Sequence, residues 1–277
     1  MRLRSLLFVP ADRAERLAKA RGAGADAVIL DLEDSVTLER KGEARRMAAE
    51  FLSHPRALPV FVRVNGPSLA EDLAAVISAK PSGIVLPKAA GAGAVIALDR
   101  SLTALGDSQC LILPIVTETP AAIFALGGYA GVSPRLCAMT WGVEDLSAAI
   151  GAGPRNEDGR YSFPFETVRA LMLFAAHAAK VPALETVYPA FKDGDGLRAY
   201  AGRGWRDGFS GMLAVHPSQV AIINQSFMPS LQDVEWAKRV VDAFTAQPGA
   251  GTLQAGGEML DAPHLARAKR ILTGLDH

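Results

Sequence analysis

Eight short apolar runs recur along this chain of 277 residues, separated by Ala-rich stretches long enough to hold a helix. They read LRSLLFVP (3–10), AVILDLED (27–34), PVFVRVN (59–65), GIVLPK (83–88), CLILPIVTE (110–118), LCAMTWGVED (136–145), ALETVY (183–188) and FSGMLAVH (209–216). The runs are rich in Val, Ile and Leu and do not alternate cleanly with polar residues. Strands buried on both faces look like this, so a parallel sheet is expected. Parallel strands need crossovers, and eight strand–helix units make a closed (β/α)8 barrel. In that architecture the strand C-termini share one mouth, where the chemistry sits. Nearly every run ends in a polar or charged residue, so side chains scattered in sequence are predicted to meet there.

A barrel of this kind takes roughly 250 residues. The expected division is a barrel over 1–228 and a C-terminal helical extension over 229–277. Helices are predicted over 13–22, with Asp12 as its cap, and over 38–52, 69–78 and 166–180. Another is expected over 231–246, capped by Ser230 with Asp233 three residues on. GAGPRNEDGRYSFPF (151–165) is too long for a simple turn and reads as a lid or as a surface excursion. QPGAGTLQAGG (247–257) reads as a glycine-rich linker, with a basic final helix over 265–273. Together they suggest an arm hinged on glycines.

Lys plus Arg and Asp plus Glu number 29 each, so no bulk field favours nucleic acid or an anionic membrane. The basic-then-apolar N-terminus is read as strand one, since its apolar run is short, and no segment is long enough to span a bilayer. The two cysteines, Cys110 and Cys137, fall in predicted strands and suit packed thiols in a reducing cytoplasm.

Glu118 closes the fifth run and Asp145 lies just past the sixth. Two carboxylates on neighbouring strand ends can share one divalent cation, and hard oxygen ligands suit Mg2+. Glu33, Asp34 and Glu144 are rival ligands, and any single one of these acids could simply cap a helix. Arg63 and Asn65 end the third run. A buried Arg63 needs a carboxylate, Asp31 or Glu33, unless it serves as a cationic arm over a developing oxyanion. Lys88 could form a Schiff base. The acidic pair favours it instead as a charge partner to the mouth. Arg13, Arg16 and Lys19 lie on one side of the first helix, which by spacing alone is a solvated charged face. His216 is catalytic or structural.

Taken together, RSLLFVP, AVILDLEDSV, VRVNG, GIVLPK, TETPAA, WGVEDL, HPSQV and GEMLDAPH resemble the citrate lyase beta-subunit-like family of the HpcH/HpaI aldolase superfamily. The resemblance runs from about residue 3 to the C-terminus. It implies a Mg2+-dependent barrel acting on CoA thioesters of short 3-hydroxy-3-carboxy acids, with Glu118 and Asp145 as metal ligands. It implies Arg63 against the substrate, where Lys88 and Asn65 are also expected, and Asp261 as the residue that handles the proton on the acetyl carbon. It brings Arg13, Arg16 and Lys19 near CoA phosphates. In such proteins the arm covers a neighbouring subunit's site, so a homotrimer or dimer of trimers is implied. Ala11 stands where glycine is common, TETPAA where IETARG-like strings are, and Glu185 where an aspartate is frequent. These departures are expected to flank the acyl pocket. The expected reaction is a retro-Claisen cleavage of a malyl-, citramalyl- or citryl-CoA type of thioester. The rivals are a CoA-independent metal aldolase on 4-hydroxy-2-keto acids and a carrier-dependent or non-catalytic subunit.

Overall fold

The computed structural model describes residues 1–157 and 159–273. Its contacts divide the chain into a barrel unit, Leu3–Asn224, and a second unit from Gln225 onward. Among the described residues no helix is long and apolar enough to cross a membrane.

The barrel unit alternates strands and helices. In order they are β1 (Ser5–Pro10), α1 (Ala14–Ala20), β2 (Ala27–Asp31), α2 (Lys41–Ser53), β3 (Val60–Arg63), α3 (Leu69–Val76), β4 (Gly83–Leu86) and α4 (Ala92–Ala104). Then follow β5 (Leu111–Pro114), α5 (Pro120–Ile123), β6 (Met139–Thr140), α6 (Glu144–Ile150), α7 (Phe163–Ala178), β7 (Ala183–Glu185), α8 (Gly194–Asp207), β8 (Gly211–Ala214) and α9 (Pro217–Ser226). The sheet order is β5-β4-β3-β2-β1-β8-β7-β6, and every pair is parallel. Parallel bridges Ile112–Leu136 and Ile115–Thr140 join its two ends, so the sheet closes as a (β/α)8 barrel.

Side-chain parity decides what fills the barrel and what tops it. Leu6, Ala27, Ile29, Phe61, Val85, Leu113, Ile115, Ala138, Leu184 and Leu213 form its buried interior. A Cβ on Gly83 would meet the Phe61 ring at 2.4 Å, so the missing side chain on β4 is what lets Phe61 lie there. Asp31 is in phase with Ala27 and Ile29, and Arg63 with Phe61. Asp31 and Arg63 are also register partners on β2 and β3. The apolar column therefore ends in an ion pair. The Arg63 guanidinium lies 4.8 Å from the Phe8 ring centroid, where the hydrocarbon core gives way to charge.

Two local expectations in the barrel unit are corrected. Asp12 does not cap α1; the N-cap is Arg13, without a side-chain bond. The buried Asp12 carboxylate is drawn instead to Arg40, at 2.8 Å from Nε, with Arg13 at 3.5 Å. The helix α7 starts at Phe163 rather than 166, because Ser162 is its N-cap and Pro164 is tolerated in the first turn. The loop that leads into it is pinned at its base by an Arg155–Tyr161 bridge and by Tyr161, which packs edge-on against Trp141 at 5.2 Å.

The second unit contains α10 (Leu231–Ala246), β9 (Thr252–Ala255), β10 (Glu258–Asp261) and α11 (Ala262–Thr273). The capping box at Ser230 and Asp233 is present, and α10 keeps the predicted bounds. The expected linker is a hairpin: β9 and β10 pair antiparallel around Gly256 and Gly257, at φ 62 and 83. Two consecutive positive φ values are what a type I′ turn requires, and glycine supplies both. The final helix starts at Ala262, not 265, because Pro263 fits its first turn. Leu253 and Leu260 project from the hairpin onto Ala237, Val240, Ala268 and Ile271, a small core of this unit's own.

Candidate active site

The mouth is organised around Lys88. Its backbone is left-handed at φ 51, unusual for a residue with a side chain. That turn aims the Lys88 N–H at the Glu118 carboxylate, to which it donates. The Lys88 ammonium reaches back across the mouth to Glu33 at 2.7 Å, Asp145 at 3.2 Å and Asp34 at 3.6 Å. Burial works against its charge, but the Glu33 and Glu118 carboxylates push its pKa up. Ringed by these carboxylates, Lys88 stands as a charge partner of the acidic mouth.

Arg63 gives Nε and Nη2 to Asp31, both at 2.7 Å, and its Nη1 lies 3.0 Å from Glu33. Burial would raise the Asp31 pKa, yet the bidentate Arg63 holds it below the ordinary value. Glu33 goes the other way: burial lifts it against the pull of Arg63 and Lys88. Lys41, unnoticed in the sequence, is buried and donates to the Leu32 and Glu33 carbonyls at 2.6 Å each. It fixes the turn that presents Glu33. Nothing in the sequence marks it out from any lysine opening a helix.

Glu118 is 5% exposed, and its pKa is pushed up to about 8. Burial is the main cause, and the charges of Glu33 and Asp145 add to it against Lys88. Such a carboxylate is short of positive charge. Its other flank lies on Gly142, where a Cβ would stand 2.6 Å from Glu118 Cγ and 3.1 Å from Oε1. Asp145 stands in the first turn of α6, half-buried. The two acids thus meet the same lysine, one at its backbone and one at its side chain. Among the described residues no group of three His, Cys, Asp or Glu forms a metal cage. Two hard carboxylates beside open mouth fit Mg2+, which keeps water or substrate oxygens in its remaining positions.

Several other predicted residues have partners of their own. Asn65 donates its N–H to Asp72 at 2.6 Å, and its side-chain amide donates to Ser68 Oγ at 3.5 Å. Glu144 is exposed. Arg13, Arg16 and Lys19 are exposed at α1, and Arg40 joins them through Asp12. Exposed His216 accepts the Ser218 N–H at 3.2 Å and stacks on Phe191 at 4.8 Å, a turn-stabilising role. Asp261 Oδ1 lies 2.6 Å from His264 Nδ1, one turn on within the second unit.

Glu185, expected to flank the acyl pocket, points away from the barrel interior. Leu184 points into the barrel, so Glu185 points outward under the helices. It is fully buried there and accepts from Trp141, Tyr200, Arg169 and the Thr186 N–H.

Comparison with known proteins places this arrangement. The model of the HpcH/HpaI aldolase/citrate lyase family matches residues 4–217. The chain belongs to that family. It is accordingly an enzyme of the carbon–carbon lyase class. Within the family it is 35% identical to a citrate lyase subunit beta-like protein of Mycobacterium tuberculosis, covering 96% of this chain and 93% of that one. It is 32% identical to a (3S)-malyl-CoA thioesterase of Cereibacter sphaeroides, with 97% and 93% covered. Among solved family structures, CitE of M. tuberculosis in complex with magnesium, acetoacetate and coenzyme A superposes with a TM-score of 0.85 at 32% identity, covering 100% of this chain and 99% of that one.

Proposed function

We propose that this chain is a Mg2+-dependent lyase that cleaves a short 3-hydroxy-3-carboxyacyl-CoA thioester to acetyl-CoA and a 2-keto acid. The observation that carries the reading is the meeting of Glu118 and Asp145 at Lys88 on the barrel mouth, beside Arg63. Held by Glu118 and Asp145, Mg2+ would supply Lewis-acid polarisation of the substrate's carboxylate and hydroxyl oxygens. The magnesium, acetoacetate and coenzyme A in the M. tuberculosis relative support this assignment.

In cleavage the hydroxyl gives up its proton to solvent water at the open mouth and becomes the keto oxygen. The bond to the carbon beside the thioester breaks, and its electron pair leaves as a thioester enolate. Arg63 is fixed in plane by Asp31 and keeps further N–H groups for that enolate oxygen. Lys88 and Asn65 complete the proposed substrate contacts. Asp261 protonates the enolate carbon in cleavage and removes a proton from it in synthesis. Arg13, Arg16 and Lys19 meet the CoA phosphates. We also propose a homotrimeric assembly in which Asp261 serves a neighbouring subunit. Mixed subunits carrying Glu118→Ala and Asp261→Asn should then regain activity that neither variant has alone.

The deciding experiment incubates the protein and Mg2+ with malyl-, citramalyl- and citryl-CoA, with EDTA controls. Metal-dependent release of glyoxylate, pyruvate or oxaloacetate together with acetyl-CoA is expected from one of them. Free CoA with an intact hydroxy acid would replace the lyase reading by thioester hydrolysis, the activity in the C. sphaeroides relative's name. Silence on all three would overturn it in favour of a CoA-independent aldolase or a carrier-dependent subunit.

A further inference from the structure

The strand β6 runs out into Trp141 and Gly142, and these two residues are held from opposite sides. The Trp141 indole donates outward to Glu185. Gly142 is held by Thr117, the fully buried residue just before Glu118. The Gly142 N–H donates to Thr117 Oγ1 at 3.0 Å, and the Thr117 hydroxyl donates back to the Gly142 carbonyl at 3.1 Å. One hydroxyl therefore serves both backbone groups of one residue. It adds a rung between the β5 and β6 ends just past the Val116-to-Thr140 backbone bond of 3.0 Å.

The position of this rung is what matters. On the β5 side the next residue is Glu118. On the β6 side Gly142 is the surface against which Glu118 lies, and Asp145 follows within one turn. Packing alone does not call for threonine here. The run CLILPIV that precedes it is apolar, and valine has the same shape. What the hydroxyl adds is the bond across to Gly142, 25 residues away.

We propose that Thr117 is a positioning residue for the divalent-cation site: it sets the spacing of the two strand ends that carry Glu118 and Asp145. This rests on the reading of those two acids as the Mg2+ ligands. Groups that orient ligands in this way change metal affinity by about 10- to 100-fold when removed.

The test is Mg2+ affinity by isothermal titration calorimetry, with thermal stability measured on the same samples. Thr117→Val should weaken Mg2+ binding by about 10- to 100-fold, while Thr117→Ser, which keeps the hydroxyl, stays close to wild type. Its turnover defect should also shrink as Mg2+ is raised, a response that general loosening of the barrel would not give. Thr140→Val is the control. Thr140 is equally buried and donates to the Leu184 carbonyl at 3.1 Å, so its loss costs stability without touching the Glu118 side. If Thr117→Val folds poorly, Gly142→Ala reads the same coupling by driving a Cβ into Glu118. Wild-type affinity in folded Thr117→Val or Gly142→Ala, or equal weakening by Thr140→Val, would overturn the proposal. Glu118→Ala separates the levels. Weakened binding there with unchanged Thr117→Val sinks the positioning role alone; unchanged binding in Glu118→Ala sinks the metal assignment and this inference with it.

Discussion

The barrel unit contains two buried charge clusters, and they are built to opposite ends. Around Glu185 the charge is matched: its oxygens accept from Trp141, Tyr200 and Arg169, and Asp207 pairs with Arg169 at 2.7 Å and with Arg203 at 3.3 Å. At the mouth, Asp31, Glu33, Asp34, Glu118 and Asp145 share two cations, Arg63 and Lys88. The first cluster lies under α7 and α8 and joins helices to sheet. The second opens on the shared end of the strands and is left wanting a cation. Buried charge by itself is therefore no sign of chemistry in this fold; unmatched charge on the inward parity is.

Removing one acid should separate the two clusters most widely. Glu118→Ala and Asp145→Ala are expected to lower turnover by about 1,000-fold, the loss of several kcal/mol of charge stabilisation, and to weaken Mg2+ binding. Thermal stability should hardly fall, since Glu118→Ala relieves a carboxylate held against its own preference. Unchanged Mg2+ dependence in both variants would shift the ligands to Glu33 and Glu144. Asp261→Asn should abolish turnover with Mg2+ affinity intact, and weakened affinity there would refute its role as the acid.

Glu185→Gln should show the reverse pattern. It puts a neutral group in place of the buried carboxylate on Arg169 and leaves the partly exposed Asp207 as its charged partner, a change that costs about 3–5 kcal/mol in urea denaturation. Mg2+ affinity should stay within about twofold of wild type, as expected for independent sites. A large loss of affinity would show that the two clusters are coupled and break the contrast.

The pH response sharpens it further. Glu118 is raised from 4.5 to about 8 in the fold. Its contribution therefore favours the metal-free fold below pH 4.5 and is lost as pH climbs through about 8. Mg2+ must displace that proton, so affinity should rise with pH across the same window. Calorimetry in buffers of different ionisation enthalpy should register proton release on Mg2+ binding near neutral pH, absent in Glu118→Gln. No proton release in the wild-type protein would contradict this.

Much of this was legible in the sequence because the strands are buried on both faces and end abruptly in charge. Glu118, Asp145, Lys88 and Arg63 announced themselves as polar residues ending apolar runs. Glu185 was placed beside the acyl pocket by the resemblance, which does not reveal which way a strand residue points. Leu184 holds the inward phase, which sends Glu185 to the helices. Asp12 was misassigned as a cap because its partner, Arg40, lies 28 residues on. The β9–β10 hairpin was hidden by composition, although Gly256–Gly257 is itself a turn signal. The Thr117–Gly142 rung left no trace, because a threonine in a strand is ordinary until its partner is known.

The smallest effect should come from deleting one bond in the matched cluster. Tyr200 donates to Glu185 Oε1 at 2.7 Å from a largely buried position in the packing of Tyr161 and Tyr188. Tyr200→Phe keeps the ring and removes only that hydroxyl. Glu185 retains Trp141, Arg169 and the Thr186 N–H, so no charge is stranded. The expected cost is about 1.5–3 kcal/mol, that of a hydrogen bond to a charged group, with turnover and Mg2+ affinity unchanged. A cost as large as that of Glu185→Gln would mean the cluster has no spare donors. Its charge would then be balanced as narrowly as that of the mouth, and the distinction between a structural and a catalytic cluster would rest on location alone.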